Sequence, residues 1–183
     1  HCNLGCCFCQ NYEISHGGEG GEVGPEGLAR IMVSLQERGC LNVNFVSPGH
    51  VIAQIVEALP LAIEAGLRVP LVYNTGGYDS PWTLRLLEGI FDIYMPDYKF
   101  SDEDTARELA GAVDYPDTVR AALLEMHRQV GDLRVDDAGV ACRGLLVRHL
   151  VMPGGLAGTD KAFRWIASRL SRNTYLNIMD QYR

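Results

Sequence analysis

The chain has 183 residues, 47% of them hydrophobic and 21% charged, which suits one domain with a sizeable core. A net charge of −7 argues against a general nucleic-acid or polyanion binder, which is usually basic. No apolar run reaches the ~18 residues of a membrane span, and residues 1–15 are polar and cysteine-rich rather than signal-like, so a cytoplasmic protein is expected.

The chain opens on "HCNLGCCFCQNYEIS", with four of its six cysteines in the first nine residues. A disulfide framework spreads its cysteines, so metal or redox chemistry is the better reading of this cluster. Cys40 and Cys142 read as small buried hydrophobes. The chain lacks an initial Met, starts inside this motif and stops inside "NIMDQYR"; it reads as a fragment truncated at both ends, with one domain over residues 1–183.

A glycine-rich connector, "SHGGEGGEVGPEG", leads to a helix from Pro25. Leu28, Ile31, Met32 and Leu35 form its apolar face, and Gly39 lies past its end. "LNVNFVS" reads as a strand. Ile52, Ile55, Val56 and Leu59 mark a second helix, which Pro60 is expected to break or restart. "VPLVYNT" is a strand, "SPWTLRLLEG" a short helix and "FDIYMPD" a strand. Residues 116–130 form a helix with Val119, Leu123, Met126 and Val130 on one side. "VDDAG" is a turn, "GLLVRHLVM" a strand, Phe163, Ile166, Ala167 and Leu170 mark the last helix, and "TYLNIMD" is the last strand.

Strands alternating with helices imply an α/β fold with parallel strands, either an open doubly wound sheet or a partial barrel. A full (β/α)8 barrel of roughly 250 residues does not fit the length. Both architectures bind ligands at the carboxyl ends of the strands, and polar residues gather there. They are Ser47 to His50, Asn74 to Gly76, Asp97 with Lys99, Arg148 with His149, and Asp180 to Tyr182. Phe91, Ile93 and Met95 are expected to share a strand face that Asp97 and Lys99 continue. Taken singly, each has a plain reading. Asp97 and Lys99 could be an ordinary ion pair, Arg148 could pair with a helix acid, and lone histidines are more often satisfied core or surface groups. Their common placement at successive strand ends points to a site.

The useful thiol spacing is Cys2-x3-Cys6-x2-Cys9, three soft ligands that suit zinc or an iron–sulfur cluster. Cys7 follows Cys6 directly, so its side chain points away, and it is expected to be a buried thiol beside the metal site. Three protein ligands on a four-iron cluster leave one iron open.

This motif, with Phe8 just before the third cysteine, resembles the signature of the radical S-adenosylmethionine (SAM) enzymes. "CQNYEIS", "YNTGGY", "DIYMPDYKF", "LLVRHLVMPG" and "NIMDQY" resemble members related to the pyruvate formate-lyase activating enzyme, over nearly the whole chain. The resemblance implies a partial (β/α)6 TIM-type barrel whose first strand would precede His1. It implies that Cys2, Cys6 and Cys9 hold a 4Fe-4S cluster whose open iron takes the amino and carboxylate groups of SAM. It implies that Phe8 packs near the adenine and that Asn74, Asp97, Lys99 and Arg148 contact SAM, with Gln181 and Tyr182 near the adenosyl group. The family often carries Gly-Gly-Glu at the second strand end. Here Gly17-Gly18-Glu19 falls too early, so Ser47, the Pro48 carbonyl and His50 are expected to replace the glutamate.

The implied activity is that of an oxidoreductase resembling the activating enzymes. It would reductively cleave SAM to a 5′-deoxyadenosyl radical for hydrogen abstraction, with ferredoxin or flavodoxin as electron donor. A glycyl radical partner protein is one implied substrate. The rival readings are a non-catalytic zinc or electron-transfer iron–sulfur protein, and a degenerate barrel that binds partners without chemistry.

Overall fold

A computed structural model describes residues 1–181. Five parallel strands run β1 (Val43–Val46), β2 (Leu71–Thr75), β3 (Ile93–Pro96), β5 (Ala141–Leu150) and β6 (Tyr175–Met179). A sixth, β4 (Arg134–Val135), pairs antiparallel with the start of β5. The spatial order β1-β2-β3-β5-β6 follows the chain and never reverses, so there is no switch point of the doubly wound kind. Among the described residues β1 and β6 do not pair, and the sheet is open.

The helices are α1 (Tyr12–Ser15), α2 (Pro25–Glu37), α3 (Ile52–Glu64), α4 (Pro81–Leu86), α5 (Glu103–Ala110), α6 (Tyr115–Val130) and α7 (Thr159–Trp165). The buried face of α6 is the one its sequence spacing predicts, with Val119, Leu123, Met126 and Val130 inside. Among the described residues no helix is long and apolar enough to cross a membrane.

The structure corrects several sequence expectations. α3 runs unbroken through Pro60, because Pro60 sits on its exposed face and Ile55, Ala58, Leu59 and Ala62 keep the buried face packed. On α2, Met32 is fully buried but Ile31 is 49% exposed; the small Ala29 takes the inner position instead. Ala167 also faces out, because α7 widens into a π-helical stretch, Ile166–Leu170, that rotates the face. Phe91 precedes β3 and packs with Phe45, Tyr73 and Tyr94, so it does not share the face of Asp97.

α5 has no counterpart in the sequence reading. Its buried positions are the alanines Ala106 and Ala110, so no large apolar stripe marks it. Its signals are an Asp102 side chain that accepts from the Thr105 N–H and a left-handed Gly111 at its end.

One glycine is fixed by two constraints at once. Gly77 follows β2 with φ 80°, and a Cβ there would strike the Asp97 carbonyl and lie 2.8 Å from Val119 Cγ2. Gly77→Ala is expected to cost about 3 kcal/mol, from the left-handed backbone plus the clash. Gly111 has φ 69° with nothing near the added atom, so Gly111→Ala costs about 1 kcal/mol. Urea midpoints of the two variants check this order, and equal losses would contradict it.

Candidate active site at the strand ends

The strand registers bring five ends level. Val46 aligns with Asn74, Asn74 with Met95, Asp97 with Arg148 and Leu150 with Met179. Above them lies a cavity of about 460 Å³, walled by these ends and by the cysteine loop. Cys2, Cys6, Phe8, Cys9, Ser47, Asn74, Asp97, Lys99, Arg148 and Gln181 all line it. His50 does not: the 3-10 turn Pro48–Val51 swings it out to solvent, where its Nδ1 lies 3.0 Å from the Ser47 carbonyl. Tyr182 falls outside the described residues. Gly17-Gly18-Glu19 forms an exposed loop after α1, away from the cavity wall.

The cysteine loop is anchored by the helix the sequence concealed. The Gly5 and Cys7 N–H groups each donate at 2.9 Å to Ala110 and Leu109, whose carbonyls would otherwise be orphaned at the end of α5. Leu4, 2% exposed, is pushed into the core between the loop and β2. A Cβ on Gly76 would come within 2.8 Å of Leu4 Cδ1, so a larger residue there would push the Leu4 side chain aside. With Leu4 locked inward, Cys2 and Cys6 face the cavity. Cys7, bound to α5 through its backbone, is exposed rather than buried. Cys40 and Cys142 are also exposed, contrary to the core role expected of them. Cys40 follows the end of α2, and Cys142 lies on the β4–β5 hairpin, with its thiol 3.3 Å from the Arg134 carbonyl.

Asp97 is the polar centre of the opposite wall. Its Oδ1 accepts from Arg148 Nε at 2.7 Å and its Oδ2 from Lys99 Nζ at 2.6 Å. Burial opposes the charge on Lys99, but Asp97 and Cys6 outweigh it, and the pKa of the ammonium is raised. One carboxylate between two cations leaves one positive charge in excess, suited to an anionic group of a ligand. Burial is also the main reason the Cys6 thiol is pushed up to about 11; Lys99 opposes this, and Cys2 and Cys9 add to it. The bare thiol is therefore protonated at neutral pH, and metal binding must displace its proton.

Tyr115 was not singled out in the sequence, yet it joins two strand ends. Its buried hydroxyl accepts from the Lys99 N–H at 2.9 Å and lies 2.9 Å from the Gly76 carbonyl and 2.8 Å from the Asp97 carbonyl. Beneath them the Asp79 carboxylate accepts from Tyr73 and Thr75, and the Gly77 N–H donates to the Thr75 hydroxyl. These bonds fix the loop after β2. At the end of β1, Ser47 holds a left-handed backbone (φ 50°, ψ 50°), and its N–H donates to the Asn74 carbonyl at 2.7 Å. Such a backbone costs a non-glycine residue about 1–2 kcal/mol, and strain of this kind clusters at functional sites.

His149 faces away from the cavity and is fully buried. Its Nδ1–H donates to the Tyr98 carbonyl at 2.6 Å, leaving Nε2 to accept from the Thr159 hydroxyl at 2.8 Å. Burial lowers its pKa from 6.5, with the Tyr98 carbonyl opposing. The unfolded chain takes up this proton near 6.5 and the folded chain does not, so the stability contribution is full above that pH. It is lost as pH falls toward and through the folded value. Between about pH 7 and about pH 5 the chain should lose more stability to urea than His149→Gln does, and parallel losses would contradict this.

Among the described residues, no three Cys, His, Asp or Glu side chains gather closely enough to share one metal ion. A single zinc needs its sulfurs within about 2.3 Å of one point. An iron–sulfur cluster takes each cysteine on a different iron, so the loop need only turn three thiols into one cavity, as it does. Three thiols facing one cavity match the donor type of such a cluster.

No family model matches the chain. An uncharacterized protein of Methanocaldococcus jannaschii is 29% identical over 190 residues, an alignment covering 100% of this chain and 51% of that protein. Among solved structures, a radical SAM methyltransferase from Sphaerobacter thermophilus is similar with a TM-score of 0.60 and 17% identity, over 97% of this chain and 52% of that one. The chain thus spans about half the length of both. At that identity the likeness is one of fold: an α/β chain with a mostly parallel, open sheet, similar to that of a radical SAM protein.

Proposed function

We propose that the cavity binds a 4Fe-4S cluster and SAM and that the chain is an enzyme of the radical SAM class. The observation that carries this is the meeting, in one cavity, of three cysteine thiols with a carboxylate clamped between two cations. Cys2, Cys6 and Cys9 would hold the cluster. Bound there and reduced, such a cluster would supply one electron for reductive cleavage of the sulfonium C–S bond of SAM, the chemistry that starts hydrogen abstraction.

The chain's own residues bind and orient. Arg148 and Lys99, held by Asp97, meet the carboxylate of SAM with their excess charge. Asn74 offers amide hydrogen bonds at the end of β2. Ser47, at the end of β1, would offer an acceptor to the amino group. Phe8, edge-on to Phe100 at 6.1 Å, gives the adenine a flat apolar neighbour. Leu4 and Leu150 close the wall with apolar surface and keep water from the reacting bond.

A ferredoxin or flavodoxin would deliver the electron. A glycyl radical on a partner protein is one product this cavity could serve. The methyltransferase neighbour has a different outcome on a similar fold, so the reading rests on the cofactor cavity and not on one substrate. The test is anaerobic incubation of the iron-loaded protein with SAM and dithionite. Equal amounts of methionine and 5′-deoxyadenosine support the reading. Intact SAM with a fully loaded cluster argues for an electron-transfer protein.

A further inference from the structure

The three thiols are not equivalent. Cys9 Sγ lies 3.3 Å from the Ser15 hydroxyl, which itself lies 2.8 Å from His16 Nδ1. Cys2 has only an amide oxygen of Asn3 at 4.0 Å, at the limit for sulfur. Ser15 closes the four-residue helix α1, whose backbone turn brings the hydroxyl back over Cys9, and both residues line the cavity. His16 is held in place by stacking on Tyr12, centroids 5.3 Å apart at 12°.

We infer that Ser15 is a positioning residue that tunes the cluster's reduction potential through Cys9; this rests on the cluster reading above. The direction of the bonds follows from charge. A metal-bound thiolate has no proton, so it can only accept, and its negative sulfur at 3.3 Å draws the single Ser15 proton away from the Tyr12 carbonyl at 3.4 Å. The hydroxyl's lone pairs then face His16, whose Nδ1–H donates to Ser15. The chain runs His16 to Ser15 to Cys9 sulfur, and it sets the imidazole tautomer with the proton on Nδ1. Hydrogen bonds to cluster sulfurs stabilise the more negative, reduced state and so raise the potential. Among the described residues one cysteine of the three has this bond, so a bound cluster would be held asymmetrically.

The test compares Ser15→Ala and Ser15→Thr with the parent chain after anaerobic cluster loading, by redox titration followed by EPR. Ser15 is small and near the surface, so Ser15→Ala should fold and load iron normally. At a fixed applied potential its ratio of reduced to oxidised cluster should fall about fivefold, the scale of one charge-assisted hydrogen bond felt differently by the two states. Ser15→Thr, which keeps the hydroxyl, should restore the ratio. An alanine variant with full iron and an unchanged ratio overturns the inference and leaves the cluster reading standing. A parent chain that takes up no iron–sulfur cluster overturns both.

Discussion

Replacing Cys2, Cys6 or Cys9 by alanine, one at a time, should abolish cluster incorporation. The same change at Cys7, Cys40 or Cys142 should leave it intact. The structure separates the two groups. The first three line one cavity, and the last three are exposed outside it. Cys7 is the sharpest control, because it shares the loop and the local sequence with the three proposed ligands. Its backbone, not its thiol, does the work, by donating to the Leu109 carbonyl at the end of α5. Iron and acid-labile sulfide per chain, measured after anaerobic reconstitution, check the prediction. Loss of iron in Cys7→Ala with retention in Cys2→Ala would contradict the assignment.

The second large effect belongs to Asp97. Both of its carboxylate oxygens are taken, one by Arg148 and one by Lys99. Its role is therefore to hold two cations in place rather than to reach the ligand. Asp97→Asn keeps the shape but offers a single acceptor oxygen, so one cation comes loose and the two repel each other. SAM affinity should fall at least tenfold, the worth of about one charge-assisted hydrogen bond, with iron content unchanged. Asp97→Ala should also lose stability, by about 3 kcal/mol, since it leaves two part-buried charges without their partner. Equilibrium dialysis of SAM against the iron-loaded variants measures the first effect and urea unfolding the second. An Asn variant that binds SAM as tightly as the parent chain would show that the clamp is structural only.

Much of this arrangement is legible in the sequence because it rests on short-range patterns. The five parallel strands and the face of α6 follow from alternation and from the 3.6-residue period. The gathering of Asn74, Asp97 and Arg148 follows from a general property of parallel sheets, the binding of ligands at carboxyl ends. What escaped depends on contacts distant in sequence or on small residues. α5 buries alanines, so it lacks a hydrophobic stripe, although it carries the loop on which the thiols stand. Tyr115 reads as an ordinary core aromatic until the Gly76, Asp97 and Lys99 backbones close around its hydroxyl. Pro60 misled because a proline's cost depends on which side of the helix it occupies. Cys40 and Cys142 misled because a lone cysteine's composition says nothing of its exposure. The pair Gly76 and Gly77 stood in plain view in "NTGG", and only the packed structure shows what each makes room for: Leu4 and the Asp97 carbonyl.

The most direct test of the account is EPR of the anaerobically reconstituted, reduced protein with and without SAM. A reduced 4Fe-4S signal that shifts when SAM is added is the expected result, since a cluster held by three cysteines would have a fourth iron open to the amino acid end of SAM. Zinc in place of iron, or a cluster signal indifferent to SAM, would contradict it.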